Sequence, residues 1–123
     1  MSEREVRDYI EDLVNQIEKI EEFVSNITDF EDFQQNEIVV YACIRAFEIM
    51  GEAAKHVPVD IRQIYPQIPW RTIAGFRDVL IHAYFGIDEQ IVWKSIQEEL
   101  PKVKPIFQQI LQDLAQHDTY NVE

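Results

Sequence analysis

The chain has 123 residues, of which 46% are hydrophobic and 28% charged, which suits an ordinary globular protein with a sizeable core. Its three glycines supply few of the turns that sheet hairpins need, so the composition favours helices. The net charge of −12 argues against a general nucleic-acid binder, and no DNA partner is expected, because phosphate neutralisation needs Lys and Arg.

Three features of the sequence predict a cytoplasmic protein without a membrane partner. The longest uncharged apolar run, residues 38–44, is far too short to span a bilayer. The charged N-terminus has no apolar segment typical of a signal peptide. The single cysteine, Cys43, cannot form an intrachain disulfide and is interpreted as a small core residue.

The first predicted helix carries one apolar seam of about six turns. The seam repeats at spacings of four and three residues, the period of one helix face. Its members are Val6, Ile10, Leu13, Ile17, Ile20, Val24 and Ile27. Residues 26–32 break the pattern, and Thr28 or Asp29 is expected to cap the next helix.

A second helix is predicted from about Glu31 or Asn36 to His56, where Pro58 stops it. It is apolar on several sides, as expected for the central helix of a bundle. Residues 57–70 contain three prolines and predict an irregular connection with one short helical turn.

A third helix is predicted from Pro69 or Trp70 to about Tyr84, and Asp88 is expected to cap a fourth. Pro101 is expected to kink or break the fourth helix, so that a fifth segment comes after it. The fold class predicted is therefore all-α, an up-and-down bundle of four to five helices. With no repeats or linkers in the sequence, one domain over residues 1–123 is expected.

The third helix carries polar residues in a strongly apolar setting. Its core stripe is predicted to consist of Ile73, Phe76, Leu80 and Ala83. Arg77 and Tyr84, seven residues apart, fall together at the edge of that stripe. Asp78 and His82, four apart, lie away from the core, where the carboxylate can accept from the imidazole N–H and favour its charged form.

Two apolar residues of the same helix, Val79 and Ile81, lie off the predicted core stripe. A helix that is apolar beyond one stripe is normally covered on more than one side. A second copy of the chain is the simplest cover.

These residue types suit metal-independent cleavage of a phosphodiester. A histidine with an ordinary pKa of about 6.5 transfers protons near neutral pH, and arginine binds phosphate oxygens with its planar fork. His82 is predicted to move the proton and Arg77 to stabilise charge on phosphorus. Since the two lie about 140° apart around the helix, this interpretation requires two chains about a two-fold axis.

Structural interpretations stay open beside the catalytic one. A single Arg on a helix is usually solvated or ion-paired, and a single His is usually structural. No metal site is expected, because the histidines lack the spacing of metal ligands. No cofactor is expected either, since a Gly-rich phosphate loop is missing from the sequence.

The segment "RDVLIHAY" resembles the R-x4-H-x-Y signature of the HepT toxins, in the DUF86 branch of the HEPN superfamily. The resemblance extends over most of residues 6–101, through "VRDYIEDLVNQIEKIEEFV", "IRAFEIMGEAAKHVP", "IPWRTIAGFRDVLIHAYFGID" and "IVWKSIQEELP" in the typical order of that family. The motif alone would recur by chance, but flanked by these segments it is specific.

The resemblance implies a HEPN-like helical bundle that forms a homodimer with the motif helix at its interface. It implies a metal-independent endoribonuclease, the RNA-cleaving toxin of a type VII toxin–antitoxin pair. Carried over by position, Arg77 and His82 would be the catalytic pair and Asp78 would support them. Tyr84 would be AMPylated by the cognate antitoxin, a minimal nucleotidyltransferase (MNT).

A non-catalytic alternative remains. The acidity of the chain and the apolar flanks of its third helix also fit a helical adaptor that binds a nucleotidyltransferase. In that interpretation Arg77, Asp78 and His82 belong to an interface network rather than to an active site.

Overall fold

Every regular element among the residues described is a helix, which confirms the all-α bundle. The computed structural model describes the backbone of residues 3–82 and 88–121 and the side chains of residues 5–76 and 88–116. The helices are α1 (Glu3–Phe23), α2 (Phe30–Gln35), α3 (Glu37–Lys55), α4 (Val59–Ile64), α5 (Trp70–His82), α6 (Glu89–Lys94) and α7 (Leu100–Asn121). A π-helical turn, Ser95–Glu99, joins α6 to α7. No helix in the described ranges is long and apolar enough to cross a membrane.

The apolar seam of α1 is buried as predicted. Its buried members are Val6, Ile10, Leu13, Ile17 and Ile20, and Val14 beside them is buried as well. Val24 and Ile27 lie beyond the end of α1 but still pack against the core. The acidic residues between them face solvent, because burial of unpaired carboxylates is costly.

The second predicted helix is divided into α2 and α3 at Asn36. Asp29 caps α2, since its side chain accepts a hydrogen bond of 2.8 Å from the backbone N–H of Asp32. Asn36 caps α3 by accepting from the N–H of Val39 at 3.3 Å. The two candidate starting points in the sequence therefore mark two successive helices.

Helix α1 runs antiparallel to both α3 and α7. Near the start of α1, the Tyr9 ring stacks on the His56 ring, which lies just after the end of α3, with centroids 4.9 Å apart. Near the end of α1, the Glu21 carboxylate accepts from Lys104 Nζ, early in α7, at 2.7 Å. The long helices therefore alternate in direction, as an up-and-down bundle requires.

Helix α5 runs back along α3. Its first residue, Trp70, donates from Nε1 to the carbonyl of Tyr65, in the connection between α3 and α5, at 3.0 Å. Further along, the rings of Phe76 and Phe47 meet edge to face with centroids 5.0 Å apart. The second half of α5, residues 77–82, therefore lies at the same end of the bundle as the first half of α3.

The bundle has two ends of different character. The motif end comprises residues 77–82 of α5, helix α2, the first half of α3 (residues 37–46) and helix α6. Phe33 of α2 and Trp93 of α6 pack together there, with ring centroids 5.0 Å apart. The anchored end comprises the start of α1, the end of α3, helix α4, the connection from α4 to Trp70, and the last turns of α7.

The predicted break of the fourth helix at Pro101 does not occur, and the irregularity there is a π-helical turn just before it. The helical path continues through α6, the π-helical turn and α7, and the N–H of Leu100 donates five residues back to the carbonyl of Ser95. A π-helical turn is wider than an α-helical one. It gives the Pro101 ring the space that a regular turn denies it, so proline is accommodated.

Candidate active site

Three of the four predicted site residues lie in one helix. Arg77, Asp78 and His82 all belong to α5, whose last residue is His82. Their backbone is described but their side chains are not, and Tyr84 lies outside the described residues. The predictions for Val79 and Ile81 likewise concern side chains outside that range.

The register of α5 places Arg77 and His82 on different sides of the helix. Trp70 and Ile73 are buried, and position 77 comes seven and four residues after them, which puts it on their side of α5. Position 82 comes seven residues after Gly75 and is about 140° from position 77, about 7.5 Å further along the axis. Positions 77 and 82 are therefore close in sequence but do not lie side by side on the helix surface.

The side of α5 that carries Gly75 is open. A Cβ built on Gly75 meets no heavy atom within 4 Å among the residues described. Glycine inside a helix costs roughly 1 kcal/mol relative to alanine. Contacts among the described residues give no reason for that cost, so they do not explain the small residue at this position.

Residues of the first half of α3, which packs against α5, contribute to the apolar core. Cys43 is fully buried, and burial raises the pKa of its thiol to about 11. The thiol is therefore neutral at physiological pH and cannot act as a nucleophile. This confirms the interpretation of Cys43 as a core residue.

A cavity of about 440 Å³ opens at the motif end, between α2, α3 and the start of α6. We call it the motif-end cavity; its walls include Gln34, Gln35, Glu37, Tyr41, Ile44 and Glu89. Tyr41 lies six residues before Phe47, and His82 lies six residues after Phe76, so both are about 9 Å from the Phe47–Phe76 contact along antiparallel axes. The cavity is therefore level with the end of the motif helix.

This cavity was not predicted, because residues 38–44 look in the sequence like an apolar run of a central helix. Two of these side chains are in fact exposed, Ile38 by 82% and Tyr41 by 66%. The sequence does carry a signal: Ile38 and Tyr41 lie three residues apart, and the charged Arg45 comes four residues later on the same face. That face is solvated despite its apolar start.

At the anchored end, the polar side chain of Arg62 is used for structure. Its Nε donates to the carbonyl of Val57 at 2.9 Å, and its Nη2 donates to the carbonyl of Ala54 at 2.6 Å. These carbonyls belong to the last turn of α3 and the residues after it, where no intrahelical donor remains. Arg62 therefore completes the C-terminus of α3 with a cation, which the helix dipole also favours.

Tyr65 and Asp113 form a second polar contact at the anchored end. The Tyr65 hydroxyl donates to Oδ2 of Asp113, whose other oxygen accepts from Gln109 Nε2 at 2.8 Å. Burial, and then the hydrogen bond to Asp113, raise the pKa of Tyr65 to about 12. The same hydrogen bond lowers the pKa of Asp113. The contact ties the connection before α5 to α7.

Within the described part of the chain, no group of three His, Cys, Asp or Glu side chains could hold a metal ion. The motif helix itself carries an arginine, an aspartate and a histidine on one short segment.

Comparison with known proteins connects this helix to a family. The HepT-like ribonuclease family matches residues 13–110, which include the whole of α5. A protein of Thermococcus cleftensis named "Probable ribonuclease HepT" is 47% identical over 107 residues, covering 87% of this chain and 96% of its own. No solved structure is significantly similar to the chain.

Two proteins of Methanocaldococcus jannaschii are similar over nearly their whole length. "Putative RNase MJ0125" is 40% identical over 116 residues, covering 94% of this chain and 99% of its own. "Putative RNase MJ1216" is 38% identical over 118 residues, covering 96% and 97%. The chain is an all-α bundle with this motif helix and these relatives. It therefore belongs to the HepT-like ribonuclease family.

Proposed function

We propose that the protein is a metal-independent endoribonuclease that acts in the cytoplasm as the toxin of a toxin–antitoxin pair. The observation that carries the proposal is membership of the HepT-like ribonuclease family together with an intact R-x4-H-x-Y spacing at Arg77, His82 and Tyr84. Arg77 and His82 are the proposed catalytic pair, and Asp78 is proposed to support them.

The proposed reaction uses the RNA's own 2′-hydroxyl as the nucleophile. The 2′ oxygen attacks the adjacent phosphorus, the P–O5′ bond breaks, and a 2′,3′-cyclic phosphate and a 5′-hydroxyl result. His82 accepts the proton of the 2′-hydroxyl and returns a proton to the departing 5′ oxygen. Arg77 stabilises the negative charge that develops on the phosphoryl oxygens. The reaction as written requires no metal ion and no oxidant or reductant.

A homodimer is part of the proposal, since positions 77 and 82 lie about 140° apart on one helix. Two α5 helices about a two-fold axis would bring Arg77 of one chain near His82 of the other. The open side at Gly75 supports this arrangement, because a glycine permits close approach of a second backbone where the chain itself leaves space.

The regulatory part of the proposal concerns Tyr84. We propose that an MNT-type antitoxin transfers AMP to its hydroxyl. Each AMP adds a phosphodiester anion and a bulky nucleoside near Arg77, where the RNA phosphate must bind. Tyr84 comes seven residues after Arg77, so a helix that continued regularly would place both on one face.

The cleavage reaction is tested on the purified protein with RNA and excess EDTA. We expect fragments that end in 2′,3′-cyclic phosphate, and a rate about 10²–10⁴-fold lower for His82→Ala. His56→Ala is the matched control, because His56 is half-exposed at the anchored end and paired with Glu52. Cleavage by His82→Ala at the wild-type rate, or cleavage that stops in EDTA, contradicts the proposal.

Mass spectrometry after co-expression with the neighbouring nucleotidyltransferase tests Tyr84. We expect a mass increase of one or more AMP units that is lost in Tyr84→Phe and kept in Tyr120→Phe. Tyr84→Phe retains the ring but lacks the oxygen that accepts AMP. AMP on another tyrosine, or unmodified wild-type protein, would refute this switch.

The dimer is tested by sedimentation at micromolar concentration. Gly75→Ala should fold, because a Cβ there meets no heavy atom within 4 Å among the described residues, and should weaken the dimer and the activity together. Val79→Asp should act in the same way, since burial of an unpaired charge is costly. Lys102→Leu, on the exposed surface of α7, is the control and should change neither. A monomeric wild-type protein would refute the composite site.

The adaptor hypothesis has support of its own in the net charge of −12 and the exposed apolar side chains of Ile38 and Tyr41. Expression in cells separates the two hypotheses. A toxin should arrest growth unless its antitoxin is present, and arrest should be lost in His82→Ala. An adaptor should leave growth unchanged while still binding the nucleotidyltransferase.

A further inference from the structure

We propose that the outer face of α3 docks a basic amphipathic helix of a partner protein. The outer face of α3 consists of Ile38, Tyr41, Arg45, Glu48 and Glu52. These side chains follow one another at spacings of three and four residues, so they form one row about 21 Å long. All are exposed or partly exposed in the described part of the chain. The proposal goes beyond the proposed function and applies to a nuclease and to an adaptor alike.

The outer face begins with two apolar side chains that lie one turn apart. Ile38 is 82% exposed and Tyr41 is 66% exposed. Exposed apolar residues that stand alone are ordinary on a protein surface, whereas adjacent ones with a polar rim are typical of interaction sites. Tyrosine and arginine are also enriched among residues that carry binding energy at protein interfaces, and Arg45 comes one turn after Tyr41. This part of the face therefore fits the centre of a protein interface.

Carboxylates form the rim of the outer face. Near its start, Glu37 lines the motif-end cavity together with Tyr41. Further along, a cavity of about 300 Å³ opens between α1 and α3, and we call it the α1–α3 cavity. Its walls include Asp12, Arg45, Glu48, Ile49 and Glu52. Arg45 is the one basic side chain among the described residues that line the two cavities, and it is paired with Glu48 at 3.6 Å.

The pKa of Asp12 reflects the electrostatic character of the α1–α3 cavity. Partial burial, and then the nearby Asp8 carboxylate, raise the pKa of Asp12 above its ordinary value. Both causes disfavour the charged form of the carboxyl group. A cation that a partner brings to this cavity favours the charged form again, so a basic partner gains affinity there.

The charge of the rim selects the class of partner. A second copy of this chain carries the same carboxylates and a net charge of −12, so pairing this face with itself would set one acidic rim against another. RNA is repelled as well, because its phosphates are anionic. A protein segment with an apolar stripe and Lys or Arg beside it complements both the centre and the rim of the face.

The backbone of α3 favours a partner that is itself a helix. The N–H and C=O groups in the middle of a helix are already hydrogen-bonded within it, so this face offers no edge to an extended strand. A helical partner satisfies its own backbone and needs only side-chain contacts, as in helix-in-groove recognition. A row about 21 Å long accommodates about 14 residues of such a helix.

The direct test measures fluorescence anisotropy with dye-labelled synthetic peptides. The probe is an amphipathic helix of about 14 residues with Leu on one face and Lys on the other. A peptide of the same composition in shuffled order keeps the charge without the apolar stripe, and a Leu/Glu helix reverses the charge. We expect the Leu/Lys helix to bind about tenfold or more tightly than the shuffled peptide, and the Leu/Glu helix not to bind. The affinity should fall as salt is raised.

Variants locate the contact on the protein. Tyr41→Ala should stay folded and weaken the Leu/Lys helix about tenfold or more. Ile64→Ala, which removes an apolar side chain that is 62% exposed in α4, is the control and should bind as the wild type does. Glu48→Gln should weaken binding about two- to fivefold, whereas Glu99→Gln, exposed in the π-helical turn, should not. NMR shifts caused by the peptide should belong to α3 and the neighbouring side of α1.

Equal binding of the Leu/Lys helix and the shuffled peptide, or binding that Tyr41→Ala leaves unchanged, would overturn the proposal. Two further measurements concern the other classes of occupant. Binding of a single-stranded RNA oligomer that is lost in Tyr41→Ala would assign the face to RNA and overturn the basic helix. Self-association of the wild type that is lost in Tyr41→Ala would assign it to a second copy, with the same consequence. A separate assay of RNA cleavage bears only on the proposed function.

Discussion

Arg62 and Tyr65 at the anchored end differ from Tyr41 and Glu89 at the motif end in what their polar atoms contact. At the anchored end, Arg62 and Tyr65 both donate to oxygen atoms of their own chain. At the motif end, Tyr41 is largely exposed, and a buried oxygen of Glu89 has no hydrogen-bond partner among the described residues. Polar groups that are already paired stabilise the fold, whereas an exposed side chain such as Tyr41 remains accessible to a ligand or a partner.

This contrast predicts that the anchored end determines stability and that the motif end determines activity. A substitution at the anchored end should lower the free energy of unfolding and leave the activity of each folded molecule unchanged. Substitution of a proposed catalytic residue at the motif end should lower the activity and leave the free energy of unfolding almost unchanged. Four predictions test that separation, and the one with the largest effect comes first.

The largest effect is expected for Arg77→Ala. Removing the group that stabilises transition-state charge should lower the cleavage rate about 10²–10³-fold, while urea unfolding changes by about 0.5 kcal/mol or less. Arg71→Ala, an exposed arginine earlier in α5, is the control and should keep both properties. If Arg77→Ala unfolds at a lower urea concentration than the wild type, Arg77 stabilises the fold. The two ends of the bundle then do not differ as proposed.

Arg62→Met should lower the free energy of unfolding by about 2 kcal/mol. The aliphatic part of the side chain is kept, but the carbonyls of Ala54, in the last turn of α3, and of Val57 lose a charged donor. Urea denaturation measures the loss, and cleavage per folded molecule should equal that of the wild type. Arg45→Met is the control, since Arg45 is exposed and forms only a 3.6 Å surface ion pair with Glu48. A stable Arg62→Met protein with reduced cleavage would contradict the assignment.

Tyr65→Phe should cost about 1 kcal/mol and should change the alkaline stability profile. Because the pKa of Tyr65 is raised from 10.0 to about 12 in the folded protein, the wild type keeps this stabilisation below pH 10 and loses it as the pH rises towards 12. Tyr65→Phe should lack that loss. Because the pKa of Asp113 is lowered, its contribution is lost instead as the pH falls below the ordinary range for aspartate. Identical alkaline profiles for both proteins would contradict the role of the hydroxyl.

The smallest effect is expected for Lys104→Met. Lys104 Nζ lies 2.7 Å from the Glu21 carboxylate, and this contact raises the pKa of Lys104. Both side chains are partly exposed, so the pair should contribute less than about 1 kcal/mol, and less again in high salt. Thermal denaturation in low and high salt measures it. A large, salt-independent loss would show that the α1–α7 contact needs this pair.

The helices were predictable from sequence because their signals are local. Apolar spacing defined α1, and Asp29, Asn36 and Asp88 act as caps as their side chains suggest. Pro101 does not end the helix because a π-helical turn precedes it and leaves space for its ring.

The motif was predictable for the same reason, since Arg77, Asp78 and His82 lie on one helix. The motif-end cavity was not, because it joins α2 and the start of α3 to Glu89 of α6, which comes more than forty residues later in the chain. Exposure of Tyr41 depends on how those helices meet. The bonds of Arg62 and Tyr65 were missed on similar grounds, since each requires a partner that only the folded chain brings close.

The proposed active site combines Arg77 of one chain with His82 of another. Mixing two inactive variants is a direct test of this arrangement. Arg77→Ala and His82→Ala are purified, exchanged into mixed dimers and assayed for RNA cleavage in EDTA. Half of the dimers are mixed, and in each of these one of the two composite sites has both groups, so about a quarter of wild-type activity should return. If subunit exchange is demonstrated and the mixture remains as inactive as either variant alone, the two residues do not act across the dimer and the account is contradicted.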